Sequence, residues 1–428
     1  MKNRNVVRVK LWGTPIGYLF QEENEIVNFQ YDEEFLKSGI ELSPIKMPLS
    51  NLTYSFPNLS EQTFHGLPGL VADSLPDKFG TIVMNRYLES QGRTADSLSV
   101  IEKLCYTGKR GMGALEYEPD IEVLSDNSKV DIDALTRLAS DILSEKENFH
   151  ISENDDMMAQ LMECGSSVGG ARAKTLIAWN PSTNDIRSGQ INAGEGYEYW
   201  LLKFDNIKNN KDKDQTPDDA QYTQIEYAYY LMATHAGINM SECRLHREKG
   251  SAHFMTKRFD RKGIKGEKLH MQSLCAIAHM DFNMPRIYSY EEAFEVAKKL
   301  RLPYKDILQL FTRMCFNEYG KNYDDHTKNI SFLMDKKGVW SLSPAYDVTF
   351  SYKQDSIWVN AHQMLINGKS EDITREDLLK VAAKAGIKQN DATRCVDRIR
   401  ESISMWDKFA DNAELSKYNI ERIKKELL

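Results

Sequence analysis

The chain reads as an α+β protein: a β-rich N-terminal lobe with an extra β-subdomain, followed by a mostly helical C-terminal lobe. Three observations predict this. Period-2 alternation dominates the first thirty residues. A second group of strand-like runs, Thr175–Trp179 and Tyr199–Phe204, follows a Gly-rich loop. Beyond residue 370 the apolar spacing is helical almost throughout. A length of 428 residues allows about two to four compact regions. The expected divisions are an N-terminal β-rich subdomain at 1–120, the remainder of the N-terminal lobe at 121–260, and the helical lobe at 261–428.

The elements follow in order. Val6–Trp12 alternates, Gly13-Thr14 can turn, Ile16–Phe20 alternates again and Ile26–Tyr31 supplies a third strand, which makes a meander. Residues 60–105 turn helical, with Asp77 placed to cap one helix and Asp96 or Ser97 another. Gly-Lys-Arg-Gly-Met-Gly at 108–113 is a tight turn; no Lys-Ser/Thr follows its last glycine, so it is not a P-loop. The polar stretch 120–134 reads as a hinge, and a helix is expected over 131–145. After the second strand group, residues 208–219 are a solvated loop, and a helix runs from about Thr223 to Ala236, stopped by Gly237. His253–Lys257 is a strand. Helices are expected at 290–300, 303–319, 375–385, 390–408 and 413–428.

Composition excludes several classes. Apolar residues at 41% with 28% charged suit a folded core rather than a disordered chain. No run approaches roughly 18 consecutive apolar residues, so no membrane helix is expected. The first residues lead into a strand rather than a signal-peptide core. A net charge of −8 disfavours autonomous binding to a phosphate backbone. The six cysteines contain no Cys-x-x-Cys, which reads as reduced thiols in a cytoplasm.

Four segments carry chemistry. Ser166-Ser167-Val168-Gly169-Gly170-Ala171-Arg172-Ala173-Lys174 removes Cβ bulk where backbone N–H groups could approach a phosphate, with Arg172 or Lys174 adding charge; a simple hairpin is the alternative. Lys203 sits inside the apolar run Tyr199–Phe204, where an ammonium must snorkel or find an anion, and Glu226 on the next helix could orient it. In Asn322-Tyr323-Asp324-Asp325-His326-Thr327-Lys328-Asn329, Asp324 and Asn329 stand five positions apart, the spacing of a base and a Mg²⁺-binding amide in a kinase catalytic loop. Lys328 could stabilise a transferring phosphoryl group. Zinc at Asp325 and His326 lacks spaced partners. Asp347, in Ser343-Pro344-Ala345-Tyr346-Asp347, lies 18 positions after Asn329 across an expected hairpin turning at 335–338. Together Asn329 and Asp347 make a two-ligand oxygen site suited to Mg²⁺. A further segment, Lys257-Arg258-Phe259, could offer backbone to an adenine edge and a ring to stack on it. The element order, strands, Gly-rich turn, lysine-bearing strand, helix and then helices with acidic and amide residues, is that of a two-lobed protein-kinase-like fold.

These motifs, taken together, resemble the HipA-type serine/threonine kinases, toxins of bacterial type II toxin–antitoxin pairs. The resemblance runs nearly end to end. It includes Leu67-Pro68-Gly69-Leu70-Val71-Ala72-Asp73-Ser74-Leu75-Pro76-Asp77 and His362-Gln363-Met364-Leu365-Ile366-Asn367-Gly368-Lys369. It implies ATP and Mg²⁺ as cofactors, Asp324 and Lys328 as catalytic residues, and Asn329 and Asp347 as metal ligands. It assigns Lys203 to the ATP phosphates, Lys257 to Phe259 to adenine, and Val168 to Lys174 to the phosphate loop, with His326 and Tyr346 in the nucleotide-binding set. Ser167, beside Ser166, is the implied autophosphorylation site, whose modification would expel the loop. The implied partners are a protein substrate such as an aminoacyl-tRNA synthetase and a separate small DNA-binding antitoxin, with DNA contacted only through it; no helix-turn-helix is evident in this chain. Two other readings use the same residues. One is a small-molecule or lipid kinase, and the other is a pseudokinase that docks a DNA-binding partner without turning over ATP.

Overall fold

In the computed structural model the described residues are 6–21, 26–94, 97–121, 129–144, 155–165, 172–190, 192–207, 221–263 and 265–427. Strands β1 (Val6–Leu11), β2 (Thr14–Gln21), β3 (Val27–Tyr31), β4 (Thr53–Ser55) and β5 (Leu115–Glu118) form an antiparallel sheet in the order β4-β3-β2-β1-β5. The expected meander is its centre. Val7, Val9 and Leu11 alternate inward and are at most 2% exposed, so a one-residue slip would put all three in water. Trp12 and Gly13, both at positive φ, make the two-residue turn between β1 and β2, where backbone twist favours that conformation.

A second sheet holds β6 (Lys174–Asn180), β7 (Asp185–Ser188), β8 (Glu198–Lys203), β9 (Cys243–Glu248) and β10 (Ser251–Lys257) in the order β7-β6-β8-β10-β9. One face of it, with Ile177, Trp200, Leu202 and Met255, packs against Phe79, Val83, Leu135, Leu138 and Leu161 from the helices Lys78–Ser90, Ile132–Leu143 and Asp155–Gly165. Asp77 caps the first of these as expected, accepting from the Gly80 N–H at 2.6 Å. Strand β7 lies between the two expected strand runs, where the sequence pattern names no strand. The helix Val100–Thr107 is capped by Ser99, rather than by Asp96 or Ser97, in a capping box with Glu102.

The chain divides into two compact units. The first takes Met1–Asp218, His246–Gln272 and Met334–Gly338; the second takes Asp219–Leu245, Ser273–Leu333 and Val339–Leu428. The second unit contains the helices Tyr222–His235, Tyr290–Lys299, Tyr304–Tyr319, Arg375–Ala385, Gln389–Ser404, Trp406–Asn412 and Lys417–Leu427. The helix expected over 390–408 is two helices meeting at Met405, and Trp406 turns inward to donate to the Ile420 carbonyl at 3.1 Å. Among the described residues no helix is long and apolar enough to cross a membrane.

Candidate active site

The helix Tyr304–Tyr319 ends at Gly320, and the next ten residues form an irregular, heavily hydrogen-bonded turn within the second unit. Tyr323 N–H donates to the Ser351 carbonyl at 3.1 Å and Ser351 N–H to Lys321 at 3.0 Å. The Thr327 hydroxyl donates to the Met280 carbonyl at 2.7 Å. Residues Thr327–Asn329 make a single 3₁₀ turn. There the Asn329 Nδ2 donates to the main-chain carbonyl of Asp324 at 2.8 Å. That bond fixes the amide: its nitrogen is committed within the loop, so its oxygen is the atom left to act as a hard ligand.

Strands Ser331–Met334 and Trp340–Leu342 follow as the expected hairpin, with Ser343 N–H donating to the Ser331 carbonyl at 2.9 Å. The Tyr346 hydroxyl donates to the Lys328 carbonyl at 2.6 Å and accepts from Ser331 Oγ at 2.6 Å. It therefore ties the end of the turn to the segment carrying Asp347. Asp347 itself has φ 56, a left-handed conformation that aspartate tolerates better than most residues and that functional sites often retain. Asn329, Tyr346 and Asp347 line one cavity of about 30 Å³, together with Arg313 and Asn322. The hairpin thus brings the two candidate metal ligands together. Among the described residues no group of three or more His, Cys, Asp or Glu could hold a metal ion. The amide–carboxylate pair fits Mg²⁺, which keeps water and phosphate in its remaining positions, and not zinc.

The adjacent aspartates have opposite surroundings. Asp325 is 3% exposed and accepts from the Tyr290 hydroxyl at 2.8 Å, the Gln363 N–H at 2.8 Å and His362 Nδ1 at 2.7 Å. His362 Nε2 lies 2.9 Å from Glu318. Burial alone would push this imidazole down; Asp325 and Glu318 outweigh it and hold it up at about 9. The Asp324 side chain is 36% exposed, accepts from Gln363 Nε2, and lies 3.8 Å from His326 Nε2. Lys328 Nζ sits 4.8 Å from the centre of the Phe282 ring, which also packs on His326 at 5.3 Å.

In the first unit, Lys203 is 7% exposed on β8, on the face opposite Trp200 and Leu202, with its Nζ 5.9 Å from the Phe254 ring centre. Lys174 stands at the end of the expected phosphate loop. It is the first residue of β6, pairs in register with Lys203, and places its Nζ 3.0 Å from Asp77, with side chains 3% and 4% exposed. Its charge is spent inside the protein. Ala173 is fully buried, and its carbonyl accepts from Phe204 N–H at 3.1 Å. Arg258 donates its N–H to the Tyr199 carbonyl at 2.8 Å, so that one backbone donor is engaged within the protein. Its guanidinium grips Asp260 through two bonds of 2.9 and 2.8 Å, both side chains fully buried. Burial would raise the Asp260 carboxyl, but Arg258 and Arg261 overcome it and hold the group well below the carboxylate range. Lys257 pairs with Glu198 at 2.7 Å. Ser166, Ser167, Val168, Gly169, Gly170 and Ala171 lie outside the described residues.

Two family models match the chain. The HipA N-terminal domain matches residues 7–118, the span of the first sheet, and the HipA-like C-terminal domain matches residues 166–406. The chain belongs to the HipA family. Its fold is that of a solved HipA from Shewanella oneidensis MR-1, determined in a complex of HipA, HipB and operator DNA: 17% identity, 99% of this chain and 96% of that chain covered, TM-score 0.69. The Helicobacter pylori proinflammatory kinase CtkA overlaps 53% of this chain and 87% of its own, with 12% identity and a TM-score of 0.33. A search of curated proteins found no match.

Within the HipA framework, sequence reasoning picked out Asp324, Lys328, Asn329 and Asp347 but missed what holds them. Gln363 and His362 lie 39 and 37 positions from the aspartates they contact. The available signal was the Asp-Asp doublet itself, since two adjacent like charges on a turn seldom share one environment and a buried one needs partners.

Proposed function

We propose that this HipA-family protein is an ATP- and Mg²⁺-dependent serine/threonine protein kinase, the toxin of a toxin–antitoxin pair. The observation that carries the reading is that Asn329, its amide nitrogen bonded to the Asp324 carbonyl, lines one cavity with Asp347. Mg²⁺ held by Asn329 and Asp347 would neutralise phosphoryl charge. Asp324, the more exposed carboxylate, orients the acceptor hydroxyl and takes its hydrogen. Lys328 supplies positive charge beside it, while Lys203 serves the nucleotide phosphates and Phe259 the adenine.

Ser167, or its neighbour Ser166, is the proposed site of self-modification. A charge of about −1.5 to −2 in a loop that binds phosphate would repel the nucleotide. The Shewanella complex supports a separate DNA-binding antitoxin as partner, and none of the six cysteines forms a disulfide, which suits a cytoplasmic setting. A protein substrate is proposed, with an aminoacyl-tRNA synthetase as its expected class.

The test is transfer of radiolabelled γ-phosphate by the wild type and by Asp324→Asn, with peptide mass spectrometry to locate the modified serine. Loss of about 10²–10⁴-fold in rate is expected. Equal labelling by both proteins would end the assignment. Label found only on an added metabolite would favour a small-molecule kinase.

A further inference from the structure

The residue pair His362-Gln363 contacts both members of the Asp324-Asp325 doublet. Asp324 and Asp325 are consecutive, so their side chains diverge, and a single strand of chain meets each with a different group. The Gln363 N–H and His362 Nδ1 engage Asp325, while the Gln363 side-chain amide engages Asp324. Resting on the kinase reading above, we infer that Gln363 is a positioning residue for the reaction: its Nε2 holds one Asp324 oxygen and leaves the other to receive the acceptor hydroxyl.

Three features make this more than an incidental contact. Gln363 is only 3% exposed, so its side chain has no alternative course through water. Its main chain is fixed on both sides, the N–H by Asp325 at 2.8 Å and the carbonyl by the Arg286 N–H at 2.7 Å. Its Oε1 is buried without a hydrogen-bond partner among the described residues. Leaving a buried acceptor unmade is unfavourable. Turning the amide over would set Oε1 against the Asp324 carboxylate, so the observed orientation is the one in which the donor serves Asp324.

The support beneath is ionic. Both ring nitrogens of His362 face carboxylates, at 2.7 Å from Asp325 and 2.9 Å from Glu318, and a carboxylate can only accept. Both nitrogens must then donate, and the ring is an imidazolium. Tyr290 adds a hydroxyl to Asp325, Asn317 donates to that hydroxyl at 2.9 Å, and Tyr323 packs on the imidazole at 4.4 Å. The base is therefore oriented by a residue whose own backbone is anchored to a buried, charge-balanced set, which is the arrangement that precise positioning requires.

The experiment measures kcat, the KM for ATP and the pH profile of γ-phosphate transfer for wild type, Gln363→Ala, Gln363→Met and Gln363→Glu, with Asp324→Asn as the inactive reference. Gln363→Met keeps the side-chain length without the N–H donor, which guards against Gln363→Ala failing to fold. A fall in kcat of about 10- to 100-fold, with the KM for ATP within about twofold, is expected for both neutral variants. Gln363→Glu places a second carboxylate against Asp324. The pair then shares a proton, and the acid limb of the profile moves up by about one pH unit or more. A side chain that does not reach Asp324 in solution would leave that limb in place, and the kcat fall without a KM change is what separates positioning from a structural role. If wild type transfers phosphate, Asp324→Asn does not, and the Gln363 variants keep wild-type kcat and an unmoved acid limb, the inference falls and the kinase reading stands. If wild type transfers no phosphate, the kinase reading fails and the positioning role fails with it.

Discussion

Lys174 and Lys203 face each other across β6 and β8 in the first unit, and Asp324 and Asp325 are neighbours on a turn in the second. In each pair two identical charged residues are neighbours, and one of them is held by a buried partner. Lys174 is ion-paired with Asp77 and Asp325 is gripped by three donors. The comparison teaches that the surroundings of adjacent like charges are set by the partners each one meets rather than by their position in the chain. Like charges directly opposite on a sheet repel, and the Asp77 carboxylate 3.0 Å from Lys174 offsets part of that repulsion. On the turn, burying Asp325 with His362 fixes the backbone from which Asp324 projects.

The sharpest way to break this division is to neutralise one member at a time. Asp324→Asn should remove transfer by the 10²–10⁴-fold given above while leaving stability within about 0.5 kcal/mol, as a partly exposed position allows. Asp325→Asn and Asp77→Asn should do the reverse in stability. Each leaves a buried cation short of its counter-charge, at a cost of about 3–5 kcal/mol in urea unfolding. Asp77→Asn is the cleaner of the two, because asparagine caps the helix Lys78–Ser90 about as well as aspartate, so the loss isolates the ion pair. A stability change below 1 kcal/mol for Asp77→Asn would mean that Lys174 is not held by it.

What the sequence could and could not disclose follows from the same logic. The meander β1–β3 was legible because one buried face imposes alternation on Val7, Val9 and Leu11. Strand β7, Asp-Ile-Arg-Ser, carries no such pattern and exists because β6 offers it an edge, with Ile177 opposite Ser188. The Asp324–Asn329 spacing was legible because both residues act within one turn. The Lys174–Asp77 pair was not legible, because a lysine beside glycines reads identically whether it reaches solvent or an aspartate 97 positions earlier. His362 and Gln363 were quoted only as part of a resembling segment, since nothing local to them names a carboxylate partner.

The second unit's imidazolium offers a way to sharpen the comparison through pH. His362 is raised from 6.5 in the unfolded chain to about 9 when folded: burial lowers it, and Asp325 and Glu318 more than compensate. Below pH 6.5 the proton is bound in both states and the stabilisation is fully present. As pH rises through about 9 it is lost, by roughly 3 kcal/mol at about 1.4 kcal/mol per pH unit. In the first unit His253 and His270 behave oppositely. Burial lowers them to about 4 and about 3, so their effect is felt as pH falls below 6.5. Unfolding free energies measured between pH 6.5 and 9.5 should therefore decline in wild type and flatten in His362→Gln; equal slopes would mean that the ring is not an imidazolium.

The smallest effect concerns a place where partners are local and the sequence suffices. The Ser99 hydroxyl oxygen accepts from the Glu102 N–H at 3.3 Å, and the Glu102 carboxylate accepts from the Ser99 N–H at 2.9 Å. Each residue satisfies a donor that the first turn of the helix Val100–Thr107 would otherwise leave unmade. Ser99→Ala removes one of these bonds and should cost about 1 kcal/mol. Ser99→Asp restores an acceptor but sets a second carboxylate beside Glu102, so it should recover less than the full amount. A Ser99→Asp protein as stable as wild type would show that cap geometry outweighs charge repulsion here. Local partners would then tolerate a like-charge neighbour without a counter-ion such as Asp77, which stands 3.0 Å from the buried Lys174.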